Sequence, residues 1–382
     1  MSHIQHLPLE LVERILDYLD TRALQETLRT ARFLHDPSEK RLYHTVCLSA
    51  DSTKGLGDRQ GRFLDTILRT TRLAHHVVKL VMGGCVRGEK PRVNATVARA
   101  MKNMHNLKQL GIFGYPYILC TGLDSVPFGP NGLIISTGGK VRPSDVNDYT
   151  SLVSILQAHP KLEELALDYP KLPSDLAAVL KAEEDGSIPA SKVLCPRLKR
   201  FYGYDEGLRT FLPMRTIESG TTMILGSDLL YLIEDVDSDV WMTPALMESY
   251  LHLRFLEVWP ARGQKTSFLS IIAPYLASLT HIHLIDSTFV GGEADYLLLP
   301  LRQLPALKSV TLTNLEDPFV TATEVQDIVG CVCTICPDIE EIFVGGEELP
   351  LLYHYTKGNG IQISSVEKKV ECRPYTKWLC EP

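Results

Sequence analysis

The chain has 382 residues, of which 45% are hydrophobic and 22% charged, and this composition is typical of a globular protein rather than a disordered or fibrous one. No apolar run approaches the ~20 residues of a membrane span, because prolines at 274 and 300 interrupt the longest ones. The amino terminus lacks the charged and apolar regions of a secretion signal. The nine cysteines are odd in number and irregularly spaced. We therefore expect a cytoplasmic or nuclear protein with reduced thiols and no membrane partner.

The net charge of −7 is unevenly distributed along the sequence. Residues 1–100 carry 16 Lys and Arg against 11 Asp and Glu, whereas the remainder carries 23 against 35. The basic residues concentrate between Arg59 and Lys102, and Phe63 is the one aromatic residue among them. A nucleic-acid-binding domain usually has a pI above ~9 and interleaved aromatics, whereas the whole chain has a pI near 6.0. The basic band therefore indicates a solvated face, and nucleic acid is not an expected partner.

The first 48 residues have the pattern of three short amphipathic helices. Apolar residues recur at helical spacing between Leu11 and Leu19, and Pro8 suits the first turn of that helix. Asp20 is placed to cap a second helix, and Asp36 with Pro37 predicts the start of a third. Three helices of this size cannot bury much surface among themselves. An apolar face is therefore left for a partner.

These residues also resemble a known motif. The Leu-Pro pair at positions 7 and 8, the Ile-Leu-x-x-Leu string from Ile15, and Leu42-Tyr43-x-x-Val46 are similar to an F-box of the variant common in fungal proteins, over residues 4–48. In that family the motif binds the Skp adaptor of a cullin-RING ubiquitin ligase. The resemblance implies adaptor contacts at Leu7, Pro8, Glu10, Leu11, Ile15, Leu19 and Leu24. The chain departs from the family at 30–34, where many members have Val-Cys and then Trp.

A plainer interpretation of the same residues remains open. A helical stripe is often part of a protein's own core, so the three helices could form an amphipathic hairpin packed on the rest of the chain. The next segment, 49–74, is predicted to be a connecting helix centred on 62–73.

A six-residue pattern, L-x-x-L-x-L or a close variant, recurs from residue 77 onward. Its first apolar positions are Val77, Leu107, Leu162, Leu198, Leu253, Leu279, Leu307 and Ile339. Prolines stand two residues before four of these positions, at Pro160, Pro196, Pro305 and Pro337. Proline ends a helix and presets an extended backbone, so this placement predicts a repeated helix–turn–strand unit.

The repeated segment, about 75–346, resembles a divergent leucine-rich-repeat array. A Gly/Pro-rich stretch at 114–143 predicts an inserted loop, and 205–250 is irregular, with one degenerate unit at 214–217. The tail at 347–382 is predicted to start with a hairpin, 351–355 and 361–365, that caps the array. The expected fold is therefore α/β: a three-helix F-box followed by a solenoid with a curved parallel sheet and helices on its convex side.

Side-chain alternation along each strand predicts which residues lie on the concave face. Aromatic residues and arginine dominate binding hot spots. The candidate target-binding residues are Arg200, Tyr202, Tyr204, Phe255 and Trp259. A register shift of one residue would place them in the core instead, and inserts could also cover them.

The sequence contains few residue patterns that are typical of a catalytic site or a metal site. Cys331, Cys333 and Cys336 lack the second cysteine or histidine pair that a zinc site needs. No phosphate-binding loop, nucleophile elbow or metalloprotease motif occurs. We therefore expect no cofactor, no metal and no enzymatic activity in this chain.

Together these features predict a substrate-recruiting F-box subunit of a Skp-cullin-F-box ubiquitin ligase. The N-terminal helices would bind the adaptor, and the repeats would bind a protein target destined for proteasomal degradation. The alternative is a leucine-rich-repeat interaction scaffold outside any ligase, whose N-terminal helices only cap the array.

Overall fold

The structure is a computed structural model that describes residues 7–30, 32–48, 56–83, 90–113, 131–136, 150–168, 172–189, 192–223, 244–259, 268–285, 298–314, 322–346 and 351–365. The chain divides into two compact units, Met1–Glu164 and Leu165–Glu381. In the part of the chain so described, no helix combines the length and the hydrophobicity needed to cross a membrane.

The first unit contains α-helices and parallel strands. Its helices are α1 Leu9–Leu16, α2 Thr21–Thr30, α3 Arg32–His44, Leu56–Arg69, Thr71–Ala74, Lys90–Asn103 and Thr150–Ala158. Its strands are β1 Thr45–Leu48, β2 Lys79–Gly83, β3 Gln109–Phe113 and β4 Gly132–Ser136. Each strand pairs in parallel with the next one along the chain.

The second unit continues the same plan from β5, Glu164–Asp168, at whose start the boundary falls. Its other strands are β6 Arg200–Tyr204, β7 Ser219–Met223, β8 Phe255–Trp259, β9 His281–Ile285, β10 Ser309–Asn314, β11 Glu341–Gly346, β12 Leu351–Thr356 and β13 Gly360–Ser365. Its helices are Ser174–Glu184, Asp205–Phe211, Pro244–Tyr250, Phe268–Ile272 and Ala322–Ile335, with 3₁₀ turns at Ala273–Tyr275 and Leu299–Gln303. The pairs from β6 through β11 are all parallel.

Equivalent positions of successive repeats are aligned across the strands of each unit. Val310 on β10 lies opposite Ile282 on one side and Ile342 on the other. A backbone ladder recurs at the strand entrances, because the carbonyl of Thr280 accepts the N–H groups of both Lys308 and Ser309. Leucine-rich repeats have this arrangement: each repeat contributes one strand and one short helical segment, and the L-x-x-L-x-L strings lie in register.

The four recurrent prolines sit in the turns that precede strands. In each case the first apolar residue closes a turn by donating its N–H to the carbonyl three residues earlier, as Leu162 does to His159 at 3.1 Å and Leu198 to Cys195 at 3.0 Å. The proline, such as Pro160, is then the second residue of the turn, where its fixed φ is favourable. The prediction that these prolines mark the turn of a helix–turn–strand unit is confirmed.

Alternation along the strands separates two faces in each repeat. The second and fourth strand residues point into the core, as Leu256 and Val258 do on β8, and are buried. We call the side that carries the first, third and fifth residues the polar face. Helices precede the strands at 150–158, 174–184 and 322–335, as the helix–turn–strand unit predicts.

Three strands lie where the sequence did not predict them. β4 falls inside the stretch 114–143, which was expected to be a loop, and the rest of that stretch lies outside the described residues. β7 starts at Ser219, so Ile217 opens its motif and the degenerate unit expected at 214–217 was displaced by three residues. The string Tyr43-x-x-Val46-x-Leu48 is a variant of the repeat pattern, and its strand is β1. Because β1 pairs with β2, the sheet begins before residue 75.

Two predicted helix boundaries are wrong. The third helix does not start at Asp36 but runs from Arg32 through Pro37, which lies inside it. The connecting segment is two helices that meet at Thr70, not one. Asp20 does cap α2 as predicted, since its Oδ1 accepts the N–H of Ala23 at 2.7 Å.

The last strands that the structure describes form an antiparallel hairpin. β12 pairs with β13 through six residues, and it also pairs antiparallel with β11. Gly358 and Gly360 have positive φ in the connecting turn, a conformation that favours glycine. The repeat pattern of parallel strands therefore stops at β11.

Candidate functional site

The N-terminal helix α1 has apolar side chains on two sides. Leu11, Ile15 and Tyr18 retain 45%, 52% and 91% of their maximal exposure. Leu7 and Leu9 are also exposed. Positions 7, 11, 15 and 18 follow the helical period and therefore share one side, whereas Leu9 lies on another side. We call Leu7, Leu11, Ile15 and Tyr18, on α1 and immediately beside it, the exposed stripe.

The opposite side of α1 forms a small core. Val12 and Leu16 pack with Leu24 of α2, and three half-buried leucines complete the cluster: Leu19, Leu34 and Leu42. Leu24 is only 6% exposed, so its predicted role in binding the adaptor is corrected to a role in the core. Of the other predicted adaptor-binding residues, Leu7, Pro8, Glu10, Leu11 and Ile15 are exposed and Leu19 is half-buried.

Ion pairs hold the three helices against the segment that follows. The largely buried carboxylate of Glu39 on α3 binds both terminal nitrogens of Arg72, at 2.7 and 2.9 Å. On the other side Lys40 reaches Glu13 of α1 at 2.9 Å. Because the Arg72 pair is bidentate and partly shielded from water, it fixes the orientation of α3 better than a surface pair would.

Two histidines near this junction have lowered pKa values. Burial lowers the pKa of His76, and this effect outweighs the nearby Glu39 carboxylate, which raises it. Burial and neighbouring cations, among them Arg41 and Lys40, lower the pKa of His44. In both side chains burial is the largest cause, and it disfavours the charged form.

The predicted target-binding residues are only partly accessible. Arg200 is exposed, and Tyr204 and Phe255 are half-buried on the polar face. Tyr202 is 2% exposed, so its predicted availability to a partner is wrong. The side chain of Trp259 lies outside the described part of the structure. Arg200 and Phe255 occupy equivalent first positions of β6 and β8, with Ser219 between them.

A buried polar cluster on the same face was missed at the sequence level. His283 on β9 contacts Glu257 Oε2 through Nδ1 at 2.9 Å and Thr313 Oγ1 through Nε2 at 2.8 Å. Glu257 and His283 are each 2% exposed. The three residues lie 26 and 30 positions apart, so no local motif marks them. The available signal was a Glu and a His at the same strand position of consecutive repeats.

Three cysteines lie close together in the sequence. Cys331, Cys333 and Cys336 are on or just after the helix Ala322–Ile335, and none of them is in a disulfide. Across the described ranges, no group of three or more His, Cys, Asp or Glu side chains is arranged to hold a metal ion. Burial raises the pKa of Cys336 to about 11, so this thiol is inert at neutral pH.

Cys195 is expected to resist alkylation in the folded protein. Burial raises the pKa of its thiol to about 12, although the neighbouring Arg215 lowers it in part. At pH 8 the thiolate is then about a ten-thousandth of the population, and the thiolate is the nucleophile. Treatment with iodoacetamide followed by peptide mass spectrometry should label the exposed Cys47 and leave Cys195 unlabelled. Labelling of Cys195 at the rate of Cys47 without denaturant would contradict this assignment.

Comparison with known proteins gives a fold-level similarity. No family model matches the chain, and no curated protein sequence matches it. A solved structure that resembles it is the leucine-rich repeat-containing protein LegL7 from Legionella pneumophila, with 13% sequence identity and a TM-score of 0.45. That match covers 80% of this chain and 91% of the other. The repeat character stated above follows from the strand register of this chain alone.

Proposed function

We propose that this protein is the target-recruiting F-box subunit of a Skp-cullin-F-box ubiquitin ligase. The exposed stripe on α1 carries this proposal. Monomeric proteins rarely leave contiguous large apolar side chains in water unless the patch binds a partner. Residues 4–48 resemble an F-box, and in that family the adaptor covers this apolar surface.

The two sides of α1 support a docking role. Val12 and Leu16 already supply a core for the three helices, so Leu11 and Ile15 are not needed for local packing. Covering a leucine-sized side chain contributes about 1.5–3 kcal/mol. The four residues of the exposed stripe could therefore supply a large part of the binding free energy of a stable complex.

The polar face of the repeats is the proposed binding surface for a protein target. Among the predicted residues, Arg200 is exposed, and Tyr204 and Phe255 are half-buried. In this proposal the chain is a non-catalytic scaffold in the cytoplasm or nucleus, and other subunits transfer ubiquitin. Its contribution is to raise the effective concentration of the target near the conjugating enzyme.

The alternative, a repeat scaffold with a helical cap, also has an observation in its favour. α3 runs directly into β1, which pairs with β2, and Glu39 anchors α3 to Arg72. α3 is therefore joined to the start of the sheet, whatever else the three helices do. The exposed stripe distinguishes the two proposals, because a helical cap alone does not require apolar side chains that are exposed to solvent.

Substituting two residues of the exposed stripe tests the ligase proposal. Leu11→Asp combined with Ile15→Asp is expected to weaken binding to purified Skp adaptor at least ~100-fold, since two apolar contacts are replaced by charges that would be buried. Isothermal titration calorimetry measures this dissociation constant. Both side chains are exposed, so the thermal midpoint of the free protein should change little.

The control is Gln25→Asp, which adds one negative charge, against two in the double variant, at an exposed site on α2 and should leave the affinity for the adaptor unchanged. If the wild-type chain fails to bind the adaptor, or if the double variant binds with the wild-type dissociation constant, the ligase proposal is wrong. The capping alternative would then remain.

A further inference from the structure

The buried cluster on the polar face has the order of contacts found in hydroxyl nucleophiles activated by a base. Thr313 offers a hydroxyl, His283 lies within hydrogen-bond distance of it, and Glu257 lies within hydrogen-bond distance of the other ring nitrogen. Nucleophilic sites show this sequence of nucleophile, base and orienting group at 2.6–3.2 Å. We propose that Thr313 is a covalent acyl-accepting site served by His283 and positioned by Glu257.

The strand register explains why these three side chains meet. Glu257 and His283 are direct partners across β8 and β9. On β10 the direct partner of His283 is Thr311, and Thr313 is the next residue on the same face. All three point to the polar face, so the contacts are built by three adjacent parallel strands and not by loops.

The proposal requires one tautomer of His283. In it Nδ1 of His283 carries the proton and donates it to the carboxylate oxygen of Glu257, which accepts. The other nitrogen, Nε2, then accepts a hydrogen bond from the hydroxyl of Thr313. This is the direction that a general base requires, because the lone pair of Nε2 faces the proton to be removed.

Burial strengthens these contacts and limits the size of the substrate. Charge-assisted hydrogen bonds are stronger where water is excluded, and Glu257 and His283 are each 2% exposed. Thr313 is the most accessible of the three at 7%. Because so little of Thr313 is exposed, the proposed acyl donor is a small activated ester.

The chemical step balances without any further reactant. The Oγ1 of Thr313 bonds to the carbonyl carbon of the ester, and the hydroxyl proton moves to Nε2 of His283. The carbon–oxygen bond to the leaving alcohol breaks, and that alcohol takes the proton from His283. The products are an ester of Thr313 and a free alcohol. Glu257 stays ionised throughout and orients the ring.

The full-length protein incubated with p-nitrophenyl acetate tests this proposal. We expect p-nitrophenolate release together with an acetyl group mapped to Thr313 by peptide mass spectrometry. Acetylation of Thr313 should slow by about 10²–10⁴-fold in His283→Asn, the range for loss of a general base. It should be absent in Thr313→Val and present in Thr313→Ser, which keeps the hydroxyl.

Two further variants separate catalysis from a structural role. Glu257→Gln keeps an oxygen acceptor for Nδ1 but removes the charge, and it should slow acetylation of Thr313 at least ~10-fold while the protein remains folded by circular dichroism. Thr311→Val, on the same strand and face, should leave the rate unchanged. Lack of an acetyl group on wild-type Thr313, or equal rates in wild type and the His283 and Glu257 variants, would overturn the proposal. The cluster would then be a structural hydrogen-bond network.

Discussion

Replacing Arg215 with alanine is expected to lower the free energy of unfolding by about 3–5 kcal/mol, the usual cost of leaving one partner of a buried ion pair alone. The guanidinium of Arg215 contacts Glu183 Oε2 at 2.5 Å, and both side chains are 1% exposed. Urea denaturation followed by circular dichroism measures the loss. The effect should be among the largest of any single charge removal in the second unit.

The size of this effect follows from the number of hydrogen bonds that both charged groups make in the folded protein. Arg215 also donates to the backbone carbonyls of Leu194, Phe211 and Pro213 at 2.7–3.1 Å. The second carboxylate oxygen of Glu183 accepts the N–H of Leu194 at 2.6 Å. Truncating Arg215 therefore leaves a buried carboxylate and three carbonyls without their cation, and each costs free energy.

Two comparisons make this prediction specific. Arg197→Ala, at an exposed position two residues from Cys195, should change the free energy of unfolding by less than about 0.5 kcal/mol. The double variant Glu183→Leu with Arg215→Met removes both charges, and its loss should be clearly smaller than the sum of the single losses. Additive losses, or a loss below about 1 kcal/mol for Arg215→Ala, would show that the two groups do not act as a pair.

This pair illustrates what the sequence could and could not predict. The helix that ends at Glu184 and the strand that follows Lys199 are marked by local spacing and by Pro196. The contact between Glu183 and Arg215 joins residues 32 positions apart, and no periodicity encodes it. The same limit applies to Glu257, His283 and Thr313, which come together only once the strand register is known.

Strand prediction worked where the repeat pattern is intact and failed where one position departs from it. β8, β9 and β10 follow strings with leucine at the first position, and their strands start two residues later as the pattern requires. β1 has Tyr43 at that position, and β7 has a Gly and a Thr in place of the second and third apolar residues of the pattern. These strands form because their neighbours supply hydrogen bonds and packing, which outweigh weak local preference.

At the N-terminus the sequence predicted helices but not which of their residues would be buried. The spacing from Leu11 to Leu19 is compatible with a stripe on either side of α1. The structure buries Val12 and Leu16 and leaves Leu11 and Ile15 exposed. That division depends on where α2 and α3 pack, so only the three-dimensional arrangement could assign it.

Gly203→Ala is expected to lower the free energy of unfolding by about 3 kcal/mol, although the repeat pattern suggests the opposite. Position 203 is the fourth residue of β6, where other repeats have core residues such as Val258 and Leu284. A Cβ at Gly203 would lie 2.6 Å from the backbone carbonyl oxygen of Leu167. The backbone of Leu167 cannot move aside as a flexible side chain can, so the added methyl group overpacks the site.

A neighbouring glycine provides the matched control. A Cβ at Gly207 would lie 2.8 Å from the ring of Phe201, and its other neighbour, Leu172, is 3.9 Å away. Phe201→Leu shortens that side chain and should convert Gly207→Ala from destabilising to neutral or stabilising, since alanine favours the helix Asp205–Phe211 by up to about 1 kcal/mol. The same background should not rescue Gly203→Ala, because the carbonyl of Leu167 remains.

Comparing Gly203→Ala and Gly207→Ala in wild-type and Phe201→Leu backgrounds, by urea denaturation, therefore separates two causes. If Phe201→Leu restored the stability of both glycine variants equally, contact with the aromatic ring alone would explain why alanine is destabilising at both positions. The close approach of β5 to β6 would then have no role. If it rescues only Gly207→Ala, then Gly203 is set by backbone contact between strands. In that case Phe201, which stacks on Phe211 with ring centroids 5.1 Å apart, fills the volume that a larger residue at 203 would otherwise occupy.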